Sequence, residues 1–71
     1  MIKIHLSKLL GEKRMTQAEL ANKTNIRPAT INEMYHELIE RINLKHLNSI
    51  CEVLDIEVYE LLEYIPDKNM V

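Results

Sequence analysis

Among its 71 residues the chain has one glycine, one cysteine, two prolines and neither phenylalanine nor tryptophan. With Gly11 the only glycine, there is no glycine-rich loop to cradle a phosphate, which excludes the nucleotide-binding motifs built on such loops. Cys51 has no internal partner for a disulfide, in keeping with a reducing compartment. His46 and Cys51 are five residues apart and would point to different faces of a helix, and His5 and His36 form no ligand pair, so no metal is expected. No nucleophile and base stand in a catalytic pattern, and neither an enzyme, a cofactor nor a small-molecule substrate is expected. No apolar run approaches bilayer length, and MIKIHLSKLLGEKRM lacks both the unbroken apolar stretch and the cleavage site of a signal peptide. A cytoplasmic protein without a membrane partner is the expectation.

What is present describes a small globular domain. Apolar residues make up 46% and charged residues 28%, a folded rather than a disordered balance. A core of this size buries a smaller share of its surface than a larger one, so modest stability is expected, with no room for a separate ligand-sensing domain. The net charge of -2 conceals an asymmetry. Residues 1–45 hold eight Lys and Arg against five acids, a net +3, whereas the remainder holds one against six, a net -5. A phosphate-facing surface needs local positive potential, not a basic chain, although a charge run is also what any solvated face shows.

Leu6, Leu9 and Leu10 lie at helical spacing within residues 4–13 and predict a first amphipathic helix, weakened at Gly11 by roughly 1 kcal/mol relative to Ala. Ile2 and Ile4 alternate with polar residues and fit either an extended lead-in or a helix start. Thr16-Gln17-Ala18-Glu19 is a capping box and starts a second helix, with Leu20, Ala21 and Thr24 on its inner face. Asn25 tolerates the left-handed conformation that ends a helix, and Pro28, which has no amide proton and a fixed φ, opens the next. Two helices joined by so few residues must turn sharply.

Counting 100° per residue from Pro28 places Ile31, Met34, Tyr35 and Leu38 on the inner arc and Pro28, Ala29, Asn32, Glu33 and His36 on the outer one. Asn can bond adenine through two contacts, Glu can accept from the cytosine amino group, and Ala or Pro can pack on a thymine methyl. On periodicity alone, ordinary exposed residues are the better reading. Asn43 caps a fourth helix striped by Leu44, Leu47, Cys51 and Leu54 and widened by Ile50, which makes Cys51 a small buried core residue. Asp55–Glu57 reads as a turn, and Val58–Tyr64 as a last short helix ended by Pro66. The expected architecture is all-α: a compact five-helix domain over residues 1–66, followed by a short frayed tail over 67–71.

The run TQAELANKTNIRPATI resembles the helix-turn-helix of the lambda-repressor-like (XRE, Cro/repressor) transcriptional regulators, in which Thr, Gln, an acid and Leu-Ala open the first helix of the motif. Leu44, Leu47, Ile50, Leu54, Ile56, Leu61 and Leu62 are similar to the pattern of the family's fourth and fifth helices. The resemblance implies a sequence-specific, repressor-like regulator of double-stranded DNA, with the helix from Pro28 in the major groove and the one before it across the backbone. Carried over by position, Arg27, Pro28, Ala29, Asn32 and Glu33 would meet base edges. Thr16, Gln17, Thr30, His36, Arg41, Asn43 and Lys45 would meet phosphates, Gln17 with help from helix amides. The chain departs from the family in having Asn25 at the turn, Arg27 at the second cap, and Leu10 and Tyr35 where an Arg–Glu ion pair is common. Glu37 and Glu40 fall near the expected phosphates, where their charge opposes binding.

The family's last helix often makes a homodimer contact, for which Tyr59, Leu62, Tyr64 and Ile65 are the candidates; closing the core is an equal use of Leu62 and Ile65. The other reading is a protein-interaction module, such as an antitoxin or adaptor, whose acidic 52–67 surface holds a basic partner.

Overall fold

The computed structural model describes residues 1–67; most of the expected tail, 68–71, lies outside the described residues. The elements run β1 (Ile2–Ile4), α1 (Leu6–Glu12), α2 (Gln17–Thr24), α3 (Pro28–Tyr35), α4 (Leu44–Leu54), α5 (Val58–Leu61) and β2 (Leu62–Tyr64). The five helices occur in the expected order, but the domain is not purely α. β1 and β2 pair antiparallel, with Ile2 opposite Tyr64, Lys3 opposite Glu63 and Ile4 opposite Leu62. Ile2–Ile4 is thus extended, and the helix expected over Val58–Tyr64 is instead a short helix running into a strand. The Glu60 carboxylate accepts from the Glu57 amide at 2.7 Å at the start of α5, but Leu62 already has extended dihedrals, φ -117° and ψ 136°. The β-branched and aromatic residues of the two ends suit a pleated surface, and each strand supplies the other's backbone partners.

One core joins all the elements. Leu6, Leu9 and Leu10 of α1, Leu20 and Ala21 of α2, Ile31 and Met34 of α3, and Ile50 and Leu54 of α4 are buried. Ile4, Ile26, Ile56 and Leu61 complete it from the strand, the loops and α5. α2 lies at the centre, packed on both α3 and α4, where small Ala21 permits a close approach. Tyr35 packs half-buried against this cluster and Leu10 is 2% exposed, so both positions contribute to the apolar core.

Three inner positions differ from the periodic reading. Leu38 is 68% exposed because α3 ends at Tyr35 and the chain reverses at Glu37. Leu44 is 77% exposed as the first residue of α4, before the stripe turns inward. Cys51 is half-buried rather than enclosed; desolvation pushes its thiol pKa up, with a further rise from Glu57 and Glu60.

The scarcity of glycine has a consequence at the helix ends. Arg14, Asn25, Glu37 and Asp55 adopt left-handed backbone conformations after α1, α2, α3 and α4, with φ of 52°, 59°, 57° and 55°. After α1, the amides of Arg14 and Met15 return to the carbonyls of Gly11 and Leu10, closing its last turn. Arg14 is exposed and its Cβ is strained in this region, so Arg14→Gly should raise stability by about 1 kcal/mol. For a domain this small that gain corresponds to roughly 4–8 °C in Tm, which circular dichroism melts can read.

Candidate nucleic-acid interface

The bend between α2 and α3 follows from its local chemistry. The Thr16 hydroxyl accepts from the Glu19 amide at 3.0 Å, and the Glu19 carboxylate accepts from the Thr16 amide at 3.0 Å, so the capping box is complete. Asn25 ends α2 in the left-handed region, Ile26 is buried beneath the turn, and Pro28 stands at the first position of α3. The Thr24 hydroxyl donates to the Leu20 carbonyl at 2.7 Å, which satisfies it on the inner side of α2.

The outer surface of α3 carries the residues that angular counting placed there. Arg27, Pro28, Ala29, Asn32, Glu33 and His36 are exposed, Thr30 is half-buried, and Ile31 and Met34 are buried on the opposite side. The Arg27 side chain makes no cap, leaving its guanidinium available while Pro28 removes one amide that would need a partner. The His36 ring meets Tyr35 edge-on, with centroids 5.1 Å apart, at the far end of the helix.

One hydrogen bond joins the two helices at this surface: the Asn32 side-chain amide donates to the side-chain Oε1 of Gln17 at 3.2 Å. The bond leaves the Gln17 amide group free to donate, and it fixes which edge of Asn32 faces outward. A residue expected at a phosphate and one expected at a base are thus in contact. Asn43 caps α4, its side-chain Oδ1 accepting from the Lys45 amide at 2.8 Å. Arg41, Asn43 and Lys45 are all exposed in the segment leading into α4 and its first turn. Among the described residues none of Arg27, Arg41 and Lys45 forms an ion pair; the pairs are Lys3–Glu37, His5–Glu63 and the N-terminus with Asp67. The side-chain charge of these three cations is therefore directed to solvent or a ligand.

The sequence reading missed the role of Glu37. Its carboxylate accepts from the Ile4 amide at 3.0 Å and lies 3.6 Å from Lys3 Nζ, so it belongs to a contact with β1 and not to a bare acidic surface. Only a helix-ending signal at this position could have hinted at it, because the partners are separated by 33 residues. Tyr59 and Tyr64 are 77% and 67% exposed, Ile65 is marginally exposed, and Leu62 packs half-buried against the core.

Two carboxyls titrate below their ordinary value of 4.5: Glu19 because the Thr16 amide and then the Thr16 hydroxyl bond it, and Glu37 because the Ile4 amide bonds it and Lys3 lies beside it. A carboxyl depressed in the folded state adds stability that is complete above that ordinary value and disappears as pH falls through the folded one. Melting temperature should therefore decline on acidification below about pH 4.5, and Glu19→Gln should flatten the decline. An unchanged acid limb in that variant would contradict this assignment.

Among the described residues no group of three or more His, Cys, Asp or Glu could hold a metal ion, and no helix is long and apolar enough to cross a membrane. A family model for the Cro/C1-type helix-turn-helix DNA-binding domain matches residues 5–67, nearly the whole described chain. The chain belongs to that family. The Cro/C1-type domain here is also similar to solved structures. One is that of a Bacteroides fragilis protein inferred to bind DNA, at 22% identity and a TM-score of 0.77, covering 89% of this chain and 100% of the other. A second is a chain of the complex between the SinR and SinI proteins, at 22% identity and a TM-score of 0.74, covering 90% of this chain. This Cro/C1-type domain spans 59% of the length of that SinR/SinI chain. At such identities the likeness speaks for the fold. A search of curated protein sequences gives no match.

Proposed function

We propose that this Cro/C1-type domain is a sequence-specific, repressor-like transcriptional regulator that inserts α3 into the major groove and lays α2 across the backbone. The observation that carries this reading is the outer surface of α3, where Arg27, Pro28, Ala29, Asn32 and Glu33 are exposed together and Asn32 is oriented by Gln17. Arg27 has the fork that bonds guanine, Asn32 the paired donor and acceptor that match adenine, and Glu33 an acceptor for cytosine; Pro28 and Ala29 offer apolar contact to a thymine methyl. Thr16, Gln17, Thr30, His36, Arg41, Asn43 and Lys45 would meet phosphates, supplying affinity without sequence information. Repression then follows from occupation of a promoter site.

Two copies joined through Tyr59, Leu62, Tyr64 and Ile65 would present two α3 helices to half-sites about one helical turn apart. The exposed tyrosines favour such a contact, and the same surface serves the second reading, in which the domain holds a protein partner instead.

Repeated enrichment of random duplexes on the immobilised protein tests the proposal. A recurring short site, palindromic if the domain pairs, is expected. Failure to enrich any sequence, together with stoichiometric capture of a protein, would overturn it in favour of the interaction module.

A further inference from the structure

Glu37 occupies a backbone conformation that ordinarily selects glycine or asparagine, with φ 57°. There the amides of Glu37 and Leu38 close α3 by donating to the carbonyls of Met34 and Glu33, at 3.2 and 2.8 Å. From this bend the side chain crosses to β1, where one carboxylate oxygen accepts from the Ile4 amide and the other approaches Lys3. Met1 and Ile65 exchange backbone bonds, and the His5 amide donates to the Leu61 carbonyl, so the inward bonds of β1 fall on its odd residues. The Ile4 amide therefore points away from β2, and Glu37 supplies its partner on the outer edge of the strand. Lys3 is opposite Glu63, whose carboxylate meets His5 Nε2 at 2.7 Å. A single carboxylate thus fastens the end of α3 to the sheet made by the two ends of the domain.

We propose that Glu37 is a positioning residue for DNA reading: by holding the Ile4 amide it sets the angle at which α3 presents Asn32 and Glu33. The inference rests on the reading of α3 as the helix that enters the groove. The carbonyl that receives the Leu38 amide belongs to Glu33, and the one that receives the His36 amide belongs to Asn32, so the bend and the outer surface share one helical turn. Strain kept at a left-handed residue that also makes a long-range bond is a reason to look for function there.

Charge and geometry predict opposite signs. As a negative charge near phosphates, Glu37 opposes binding, and its removal tightens the complex; as a tie, its removal loosens it. Glu37→Gln and Glu37→Ala lose the same charge, but only Gln keeps an oxygen for the Ile4 amide. Glu37→Gly loses the tie while relieving the backbone, which protects against a variant that merely fails to fold.

The affinities of the three variants are measured on the duplex enriched by the wild type and on a scrambled duplex, alongside amide exchange at Ile4 and Leu38 in the free protein. Gln should bind at least as tightly as wild type. Ala and Gly should bind the enriched duplex about three- to ten-fold more weakly than Gln, which has lost the same charge, the range of a single hydrogen bond, with a reduced preference over the scrambled one. Exchange at both amides should accelerate in Ala and Gly and not in Gln. Equal binding by Ala and Gln, or by Gly and Gln, would overturn the role. Unchanged exchange in Ala and Gly would overturn the tie itself, whatever the DNA result. A wild type that prefers no duplex would remove the reading of α3 and this role with it, while accelerated exchange would still show the tie.

Discussion

Leu20→Ala should leave much of the domain unfolded at ordinary temperature. Leu20 is fully buried in α2, the helix that packs on both α3 and α4, so its side chain belongs to the core that joins these helices. Truncating such a leucine costs about 2–5 kcal/mol, through lost transfer energy and the cavity left behind. A core of this size supplies about 3–5 kcal/mol of net stability, so the two quantities are comparable. The buried Ile31, Met34, Ile50 and Leu54 are held on α3 and α4, the helices packed against α2, and could refill the space only by moving with their backbones. Urea unfolding followed by circular dichroism should show a transition shifted toward zero denaturant, or no folded baseline. A cooperative transition with a midpoint close to wild type would show that the core is not centred on α2.

Asn32→Ala should erase preference for one base pair rather than reduce binding in general. Its amide edge is exposed on α3 and oriented by the 3.2 Å bond to Gln17, and a paired contact of this kind is worth about 1–3 kcal/mol of discrimination, or roughly five- to 150-fold. Alanine removes the contact and the orienting bond together, and it also releases the Gln17 carbonyl oxygen. Competition between the enriched duplex and one altered at a single pair should therefore flatten at that pair. Arg27→Ala should flatten preference at a different pair, since Arg27 precedes Pro28 and lies at the other end of the exposed surface.

Where interactions are local, the sequence was a sufficient guide. The Thr16–Glu19 box, Asn25 and Pro28 involve partners within a few residues, and each occupies the expected place. The inner positions Ile31 and Met34 followed from helical spacing in the same way. The sheet was not legible, because β1 and β2 are short and lie at opposite ends of the chain; Ile2–Ile4 is ambiguous without Leu62–Tyr64 beside it. The end of α3 was missed for a related reason: Glu37 adopts a glycine-like conformation without glycine, and the bond that accompanies it goes to β1. That error carried Leu38 into the expected core. The outward residues of α3 were identifiable as a surface from helical spacing, while their assignment to bases came from family resemblance.

The most direct measurement is a polarisation titration of the enriched and scrambled duplexes at two salt concentrations, with wild type, Asn32→Ala and Lys45→Ala. The account predicts salt-sensitive binding in all three, a reduced preference for the enriched duplex in Asn32→Ala, and in Lys45→Ala uniformly weaker binding with a salt slope shallower by about 1. Absence of salt-sensitive binding by the wild type, or the same change in both variants, would contradict it.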